Sequence, residues 1–373
     1  MRIKTITCHE VYNYGATLQE YALLHYLQTL GYESQAIHYK PDYLSNHFDL
    51  KMISNPRFQK FPLKYFYLLA KFPERITSLR KKKSFDKFTA RYLNVDTVIY
   101  KSNNELRMSP PQADVYICGS DQIWNPLFPN GKDAAFYLDF APEDKTRLSY
   151  AASFAVDKIA DEIKSFVYEK VKKLDAVSVR ERSGVSILKE LGISATQVLD
   201  PVFLLPGTFW IKTFVTYIPD KYVLVYDFDS NEMIEKLVKK IARTNNYKIF
   251  TVNRNISYAD KNLWYCAPDM FLSLVCHAQY ILTNSFHALA FSLIFGKQVC
   301  VVNRNEEINT RMRDLLDLVG LKHCLVKNET DFDLSTTIDY KIVNSIIEKH
   351  IEKSKSFLKD NLPSDEKANI VCH

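Results

Sequence analysis

The sequence predicts an α/β protein with two doubly wound, Rossmann-like domains that face a cleft. The first observation is length, because 373 residues exceed one ordinary core and suit two domains of roughly 150 to 200 residues each. The second is an alternation of strand-like and helix-like runs in two successive series. Such alternation produces a parallel sheet covered by helices on both faces, and ligands bind these folds at the carboxyl ends of the strands.

The first series opens with a βαβ unit. Its apolar patterns predict a strand over residues 3–8, a helix over 17–30 that Gly31 closes, and a strand over 34–39. Further strands are predicted over 114–118, 136–140, 147–154 and 176–180, with a helix over 161–174. We place the N-terminal domain at residues 1–205.

Residues 58–92 interrupt this series. They combine a helical period with dense basic and aromatic residues, and they include two prolines, Pro62 and Pro73. The pattern predicts an inserted helical arm. One interpretation is a scaffold whose aromatic side chains pack on the first domain while the basic run 80–83 is solvated.

The second series begins after Pro206 and Gly207. Strands are predicted over 222–228, 248–252, 280–283 and 298–302, and helices over 231–243, 269–278 and 286–295. These elements form the predicted C-terminal domain, residues 206–360. Residues 361–373 are predicted to be an unstructured tail.

Composition restricts the class of protein. The 49 Lys and Arg residues exceed the 43 Asp and Glu residues by too little for a dedicated nucleic-acid binder, whereas the net charge of +6 suits anionic small substrates. No apolar run has the length of a signal peptide or a membrane span, which predicts a cytoplasmic protein. The 7 cysteines form no CxxC pair and no cluster with histidines, so we expect reduced thiols, no metal and no cofactor.

Five segments, spread from residue 13 to residue 303 in register, resemble the polysaccharide pyruvyl transferase family. They are NYGATLQ at 13–19, GSDQIWNP at 119–126, YAASF at 150–154, SVRERSG at 178–184 with VLDPV at 198–202, and TNSFH at 283–287. The resemblance implies a fold similar to that of the metal-independent, GT-B-like glycosyltransferases, with the active site between the domains. It also implies phosphoenolpyruvate as the donor of a pyruvyl ketal on a sugar of a surface polysaccharide precursor.

His287 and Arg180 are the predicted catalytic residues, and both are also expected to bind the donor. His287 follows a strand and begins a helix, where an imidazole can exchange protons or hold a phosphate. Arg180 ends a strand, so its guanidinium faces the cleft as an anion clamp. Asn13, Gly15 and Ser285 complete the predicted donor site. In well-known family members an arginine often stands where this sequence has Ser285.

The acceptor site is predicted on the loop after the strand 114–118. Gly119 permits a tight turn, so Ser120, Asp121 and Gln122 present polar groups to sugar hydroxyls, and Ser153 lies at another strand end. Trp124 either stacks on a sugar face or anchors the core. Six other histidines belong to no catalytic or metal-binding sequence pattern and are assigned no role: His9, His25, His38, His47, His277 and His323.

Two other functions fit the same architecture. One is a glycosyltransferase that binds a nucleotide sugar in the cleft, and the other is a non-catalytic glycan-binding member, which Ser285 and Ala288 favour. For the helical arm, the alternative to a scaffold is peripheral contact with the inner membrane, because bacterial glycan repeat units are commonly assembled there on lipid carriers. The predicted partners are therefore phosphoenolpyruvate and a sugar acceptor, which a lipid carrier would hold at that surface.

Overall fold

Two parallel β-sheets form the framework of the protein, which a computed structural model describes for residues 1–44, 53, 58, 60–306 and 308–363. Within these residues the first sheet has the strand order β3-β2-β1-β4-β5-β6-β7. Its strands are β1 (Arg2–Ile6), β2 (Glu33–Tyr39), β3 (Val95–Tyr100), β4 (Val115–Cys118), β5 (Thr146–Ala152), β6 (Ala176–Val179) and β7 (Thr196–Gln197). All neighbouring pairs are parallel.

The second sheet is also parallel, with the strand order β10-β9-β8-β11-β12-β13 among the described residues. Its strands are β8 (Tyr222–Tyr226), β9 (Lys248–Val252), β10 (Lys261–Asn262), β11 (Tyr280–Thr283), β12 (Val299–Val302) and β13 (Leu325–Val326). In each sheet the strand order reverses at one point, between β1 and β4 and between β8 and β11. The predicted fold class, two doubly wound α/β units, is confirmed. The domain boundary at 205/206 stays a prediction, and the two sheets fall on either side of it.

Helices connect the strands. They are α1 (Tyr14–Thr29), α2 (Leu63–Tyr92), α3 (Asn103–Met108), α4 (Asp161–Val171), α5 (Arg182–Glu190), α6 (Gly207–Phe214), α7 (Glu232–Asn245), α8 (Pro268–His277), α9 (Phe286–Ile294), α10 (Thr310–Leu318) and α11 (Tyr340–Asn361). None of these described helices is long and apolar enough to cross a membrane.

Helix α1 lies between the two units rather than on the surface of one. Of its 16 residues, 13 are buried, so the predicted amphipathic helix is instead enclosed nearly all round. Tyr14 stacks on Phe271 of α8 with ring centroids 4.8 Å apart, and both belong to a hydrophobic core that contains residues of both sheets. Apolar packing of this kind fixes the two units against each other.

The predicted strand over 136–140 is wrong. Residues Ala134–Tyr137 form a short 3₁₀ helix, which Asp133 caps by accepting a hydrogen bond from the backbone N–H of Ala135 at 3.0 Å. The position beside β4 is occupied by β5, so the apolar run packs its buried side chains against the sheet without joining it. The edge strand β3 was not predicted, because its exposed side chains give no apolar alternation.

The predicted helical arm contains the single helix α2. Near its C-terminal end, Phe85 and Phe88 are buried in the main core. Its N-terminal half is different, because Tyr65, Leu69, Phe72 and Ile76 recur at helical spacing and are all exposed. We call these four residues the exposed stripe.

Helix α11 was not predicted, and it returns from the second unit to the first. The Oγ of Ser354 accepts a hydrogen bond from the backbone N–H of Leu199 at 2.9 Å, and the Phe357 ring lies near that of Tyr150. Residues 364–373 of the predicted tail lie outside the described residues.

Candidate active site

Asp200 is the centre of a buried polar cluster at the carboxyl ends of the strands. Its Oδ2 accepts hydrogen bonds from Arg180 Nη1 at 2.7 Å and from Ser120 Oγ at 3.2 Å. The Nε2 of His287, which lies in the first turn of α9 in the second unit, is 3.4 Å from the same oxygen. Three of the predicted site residues therefore meet on one carboxylate.

The charge of Asp200 is maintained by its neighbours. Burial alone raises the pKa of this carboxyl, but His287 and Arg180 outweigh burial and lower the pKa well below its ordinary value. Asp200 is therefore anionic at neutral pH. A buried anion in contact with a guanidinium and an imidazole fixes the position of both groups.

Arg180 has donors that the protein does not use. Its side chain is buried, yet Nε and Nη2 have no hydrogen-bond partner among the described residues. Nη2 lies 3.8 Å from Asp121 Oδ1 and Nε lies 3.8 Å from Glu181 Oε2, and the guanidinium is 4.3 Å from the centroid of the Phe286 ring. Buried polar groups are nearly always satisfied, so unpaired guanidinium donors mark a place for an oxyanion.

A second buried guanidinium lies next to the first. Arg311, in the first turn of α10, has no hydrogen-bond partner for its Nε in the part of the chain that is described. Burial and the positive charge of Arg180 lower the pKa of Arg311 to about 10. When the Gln122 amide oxygen faces this guanidinium, it lies 3.2 Å and 3.3 Å from the two Nη atoms. An anion bound between the two arginines would relieve their mutual repulsion.

Glu181 is a second buried carboxyl group beside Arg180. Its Oε1 accepts hydrogen bonds from Ser153 Oγ and from the backbone N–H of Ala155, each at 2.9 Å. Burial raises the pKa of Glu181, although the charge of Arg180 acts in the other direction. A carboxyl group that ionises less readily compensates less of the positive charge on the arginines.

Gly15 allows the two units to touch at His287. A Cβ atom on residue 15 would overlap Nδ1 and Cγ of the imidazole and lie 2.7 Å from the His287 Cβ. Asn13 caps α1 by accepting a hydrogen bond from the Gly15 N–H at 2.9 Å, and Ser285 caps α9 through the N–H of Ala288 at 3.4 Å. These three predicted donor residues therefore shape the contact around His287.

The predicted acceptor residues are divided between the cluster and the core. Ser120 and Ser153 donate to buried carboxylates, while Asp121 and Gln122 adjoin the arginines. Trp124 is 0% exposed. Its ring stacks on Tyr137 with centroids 5.3 Å apart, and its Nε1–H donates to the carbonyl of Phe136. Trp124 thus presents no open face to a sugar and anchors the core.

A cavity of about 1130 Å³ lies beside the start of α10, and its lining includes Leu127, Phe166 and Arg313. Arg313 donates two hydrogen bonds to the carboxylate of Asp157, at 2.7 and 2.9 Å, and this ion pair joins the two units beside the cavity. Arg311 and Arg313 lie two residues apart on α10 and point in nearly opposite directions, so Arg313 lines the cavity while Arg311 lies in the cluster. The volume of the cavity suits a ligand of one or a few sugar rings.

The motif segments converge on this cluster, and a sequence model described as polysaccharide pyruvyl transferase matches residues 13–306, most of the chain. The chain belongs to the polysaccharide pyruvyl transferase family. The match includes Arg180, Asp200 and His287, whereas Arg311 lies beyond it. No curated protein matches the sequence significantly.

Solved structures similar to this family member cover nearly its whole length at low identity. An O-GlcNAc transferase of Thermobaculum terrenum is 12% identical with a TM-score of 0.41, over 99% of this chain and 65% of that one. UDP-GlcNAc 2-epimerase of Neisseria meningitidis is 10% identical with a TM-score of 0.47, over 98% and 95%. ADP-heptose LPS heptosyltransferase II of E. coli is 10% identical with a TM-score of 0.35, over 95% and 100%. At these scores the fold class rests on the two sheets themselves.

Three members of the cluster were not predicted to belong to the site of this pyruvyl transferase family member. Asp200 stands in a family segment, and its signal was an acidic residue directly before Pro201 at the end of a strand. Glu181 directly follows Arg180 in the family segment 178–184. Arg311 carries no motif signal, because its helix brings it to the site from a distant part of the sequence.

Proposed function

We propose that this family member transfers the pyruvyl group of phosphoenolpyruvate to two hydroxyls of one sugar in a surface polysaccharide precursor. A proton adds to the methylene carbon of the donor, and one hydroxyl oxygen bonds to the neighbouring carbon. Phosphate leaves with the electron pair of its carbon–oxygen bond, and the second hydroxyl closes the ketal. One hydroxyl proton replaces the proton consumed, and the other leaves with phosphate.

The observation that carries this proposal is the pair of buried guanidinium groups, Arg180 and Arg311, with N–H donors unpaired among the described residues. Phosphoenolpyruvate has a carboxylate and a phosphate, and each can accept charge-assisted hydrogen bonds from one guanidinium. Such a donor would replace repulsion between the arginines with two ion pairs. Other family members often carry an arginine at the position of Ser285. In this chain Arg311 supplies a cation near the next residue, Phe286.

His287 is proposed to exchange the proton of the reaction. Its Nε2 lies 3.4 Å from Asp200 Oδ2, and this carboxylate would orient the imidazole. Asn13, Gly15 and Ser285 would hold the starts of α1 and α9 around the donor. Arg180 would bind the donor through Nε and Nη2, while its Nη1 stays hydrogen-bonded to Asp200.

The acceptor sugar is proposed to bind in the cavity beside the start of α10. Asp121 and Gln122 adjoin the arginines, and their side chains would meet the hydroxyls of a sugar that approaches the donor. Ser120 and Ser153 would act through the carboxylates that they orient, Asp200 and Glu181. Trp124 is excluded from this site because both faces of its ring are covered by the core.

Arg180→Lys should weaken binding of phosphoenolpyruvate although the charge is conserved. A lysine ammonium can still pair with Asp200, but it lacks the fixed fork of N–H groups that faces the cleft. Losing one hydrogen bond to a charged group costs about 1.5–3 kcal/mol, which is about 10-fold or more in affinity. Titration calorimetry, or thermal stabilisation by phosphoenolpyruvate, measures the change.

The matched control is Arg182→Lys, because Arg182 is exposed and pairs with Asp317 at the surface. That variant should bind the donor like the wild type. Unchanged donor affinity in Arg180→Lys would return Arg180 to a structural role. A panel of nucleotide sugars in the same assay tests the rival glycosyltransferase, which stabilisation by a nucleotide sugar and not by phosphoenolpyruvate would favour.

Peripheral contact with the inner membrane is proposed for the arm. The exposed stripe offers apolar side chains, and Phe61, which precedes α2, is 84% exposed. Exposed basic residues flank the arm's apolar surface: Lys60, Lys64, Arg80 and Lys83. Lys81 does not contribute, because its ammonium lies 5.3 Å from the centroid of the Tyr14 ring, and burial lowers its pKa to about 8. Each engaged basic residue contributes about 1 kcal/mol at an anionic surface.

The full chain should therefore co-sediment with anionic vesicles but not with neutral vesicles at low salt, and added salt should weaken this binding. Changing Phe61, Tyr65 and Leu69 together to Ser should abolish it. The control changes Tyr217 and Ile342 to Ser, because these residues are equally exposed elsewhere. Membrane contact would be contradicted if equal amounts of the protein sedimented with both vesicle types, or if none sedimented with either. A dimer that the stripe variant loses would instead assign the stripe to a second copy of the chain.

A further inference from the structure

Two histidines that received no role in the sequence-based prediction lie close together at the carboxyl ends of β1 and β2 in the first sheet. His9 follows β1 and His38 lies in β2, and their rings are 5.0 Å apart at nearly a right angle. Glu10 lies between them, with Oε1 3.8 Å from His9 Nε2 and Oε2 3.8 Å from His38 Nε2. One ligand atom from each residue falls within 4.8 Å of the others.

Carboxylates lie near both ring nitrogens of His9 and near Nε2 of His38. His9 is buried, and its Nδ1 lies 2.9 Å and 3.1 Å from the two carboxylate oxygens of Glu20. Glu20 therefore holds the proton on Nδ1, and Nε2 is directed towards Glu10. Within the described ranges of the chain, neither His9 Nε2 nor His38 Nε2 has a hydrogen-bond partner. A histidine whose other nitrogen bonds a carboxylate is the usual arrangement around a metal.

We propose that His9, Glu10 and His38 form a binding site for a divalent transition metal of the zinc type. Two imidazoles and one carboxylate are the ligands that such ions prefer, and three protein ligands leave a further position for water or substrate. Zinc bonds of about 2.0–2.1 Å place tetrahedral ligand atoms about 3.3 Å apart, so ligand atoms that lie within 4.8 Å of one another would have to move closer by up to about 1.5 Å. Glu20 is a positioning residue that sets the tautomer of His9.

Lys40 is the competitor for this site, because its ammonium pairs with Glu10. The Oε1 atom faces His9, while Lys40 bonds Oε2, so a metal would share the carboxylate or displace the ammonium. The site is separate from the arginine cluster but adjoins it. Thr7, two residues before His9, donates a hydrogen bond to the Ser120 carbonyl at 3.0 Å.

The experiment is metal binding by the purified full chain without an affinity tag. The metal-free protein is titrated with Zn²⁺ against a chromophoric chelator, and with Co²⁺ while its visible absorption is recorded. The wild type should bind one tight equivalent, with the intense visible bands of a low-coordinate cobalt site. His38→Gln and Glu10→Gln should lose that equivalent, and Glu20→Gln should weaken it by about 10- to 100-fold.

The matched control is His323→Gln, because His323 is an exposed histidine far along the sequence, and this variant should bind like the wild type. Lys40→Met should bind Zn²⁺ as tightly or more tightly, since it removes the competing ammonium. No tight equivalent in either the wild type or Lys40→Met would overturn the proposal and leave an ion-pair network. Equal binding by His38→Gln and the wild type would also overturn it. Because the readout is metal binding, the result is independent of pyruvyl transfer.

Discussion

Replacing His287 with alanine should lower the turnover of pyruvyl transfer by at least ~100-fold, which is the usual scale for losing a proton-transfer group. The change removes the imidazole that lies 3.4 Å from Asp200 and leaves Arg180 paired with that carboxylate. The helix start at Ser285 does not depend on the imidazole, so the fold should persist. Phosphate release from phosphoenolpyruvate, with an acceptor that the wild type uses, measures the effect.

His323→Ala is the control for His287→Ala, because it removes an exposed histidine outside the cluster and should leave turnover unchanged. Far-ultraviolet circular dichroism and a thermal melt check that the His287 variant is folded. A folded His287→Ala protein with nearly normal turnover would remove His287 from the chemistry. The imidazole would then only pack against Gly15.

Gly15→Ala should reduce turnover by about 100-fold although residue 15 contributes no side chain to the chemistry. The new Cβ would overlap the imidazole ring, so His287 must move away from Asp200 or α1 must shift from α9. A displacement of about 1 Å at a reacting group costs on the order of 100-fold in rate. The same phosphate-release assay measures it, with donor affinity recorded separately.

A double-mutant cycle separates this effect from general destabilisation. If Gly15→Ala acts by displacing the imidazole, it should have little further effect in a His287→Gly background, where both the ring and the Cβ atom that it would meet are absent. Independent losses that multiply in the double variant would show that Gly15 acts elsewhere. Normal turnover in Gly15→Ala alone would show that His287 need not occupy this position.

The sequence predicted the strands and strand ends well, because a buried parallel strand is a short apolar run followed by polar residues. Arg180 and His287 were found in this way and now lie on either side of Asp200. The run at 136–140 is equally apolar, yet it forms a 3₁₀ turn since β5 pairs with β4 instead. Apolar content predicts burial, but the partner of a strand is decided by the whole sheet.

The parts that escaped prediction depend on contacts between distant segments. Arg311 reaches Gln122 only because α10 packs beside the loops of the first sheet, and no local pattern records that approach. Trp124 satisfied a sugar-binding pattern, but Tyr137 covers its ring. His9 and His38 are not close in sequence, and they meet because β1 and β2 are neighbours in the sheet.

The burial of α1 between the two units affects how substrates reach the active site. In many two-domain enzymes the interface is small and polar, and a hinge opens the cleft to exchange ligands. Here Tyr14 and Leu18 belong to a continuous apolar core that also holds Phe271 and Phe291, so opening the hinge would expose that core to water. Separating the two units would therefore cost about 25 cal/mol for each Å² of apolar surface that it exposes to water.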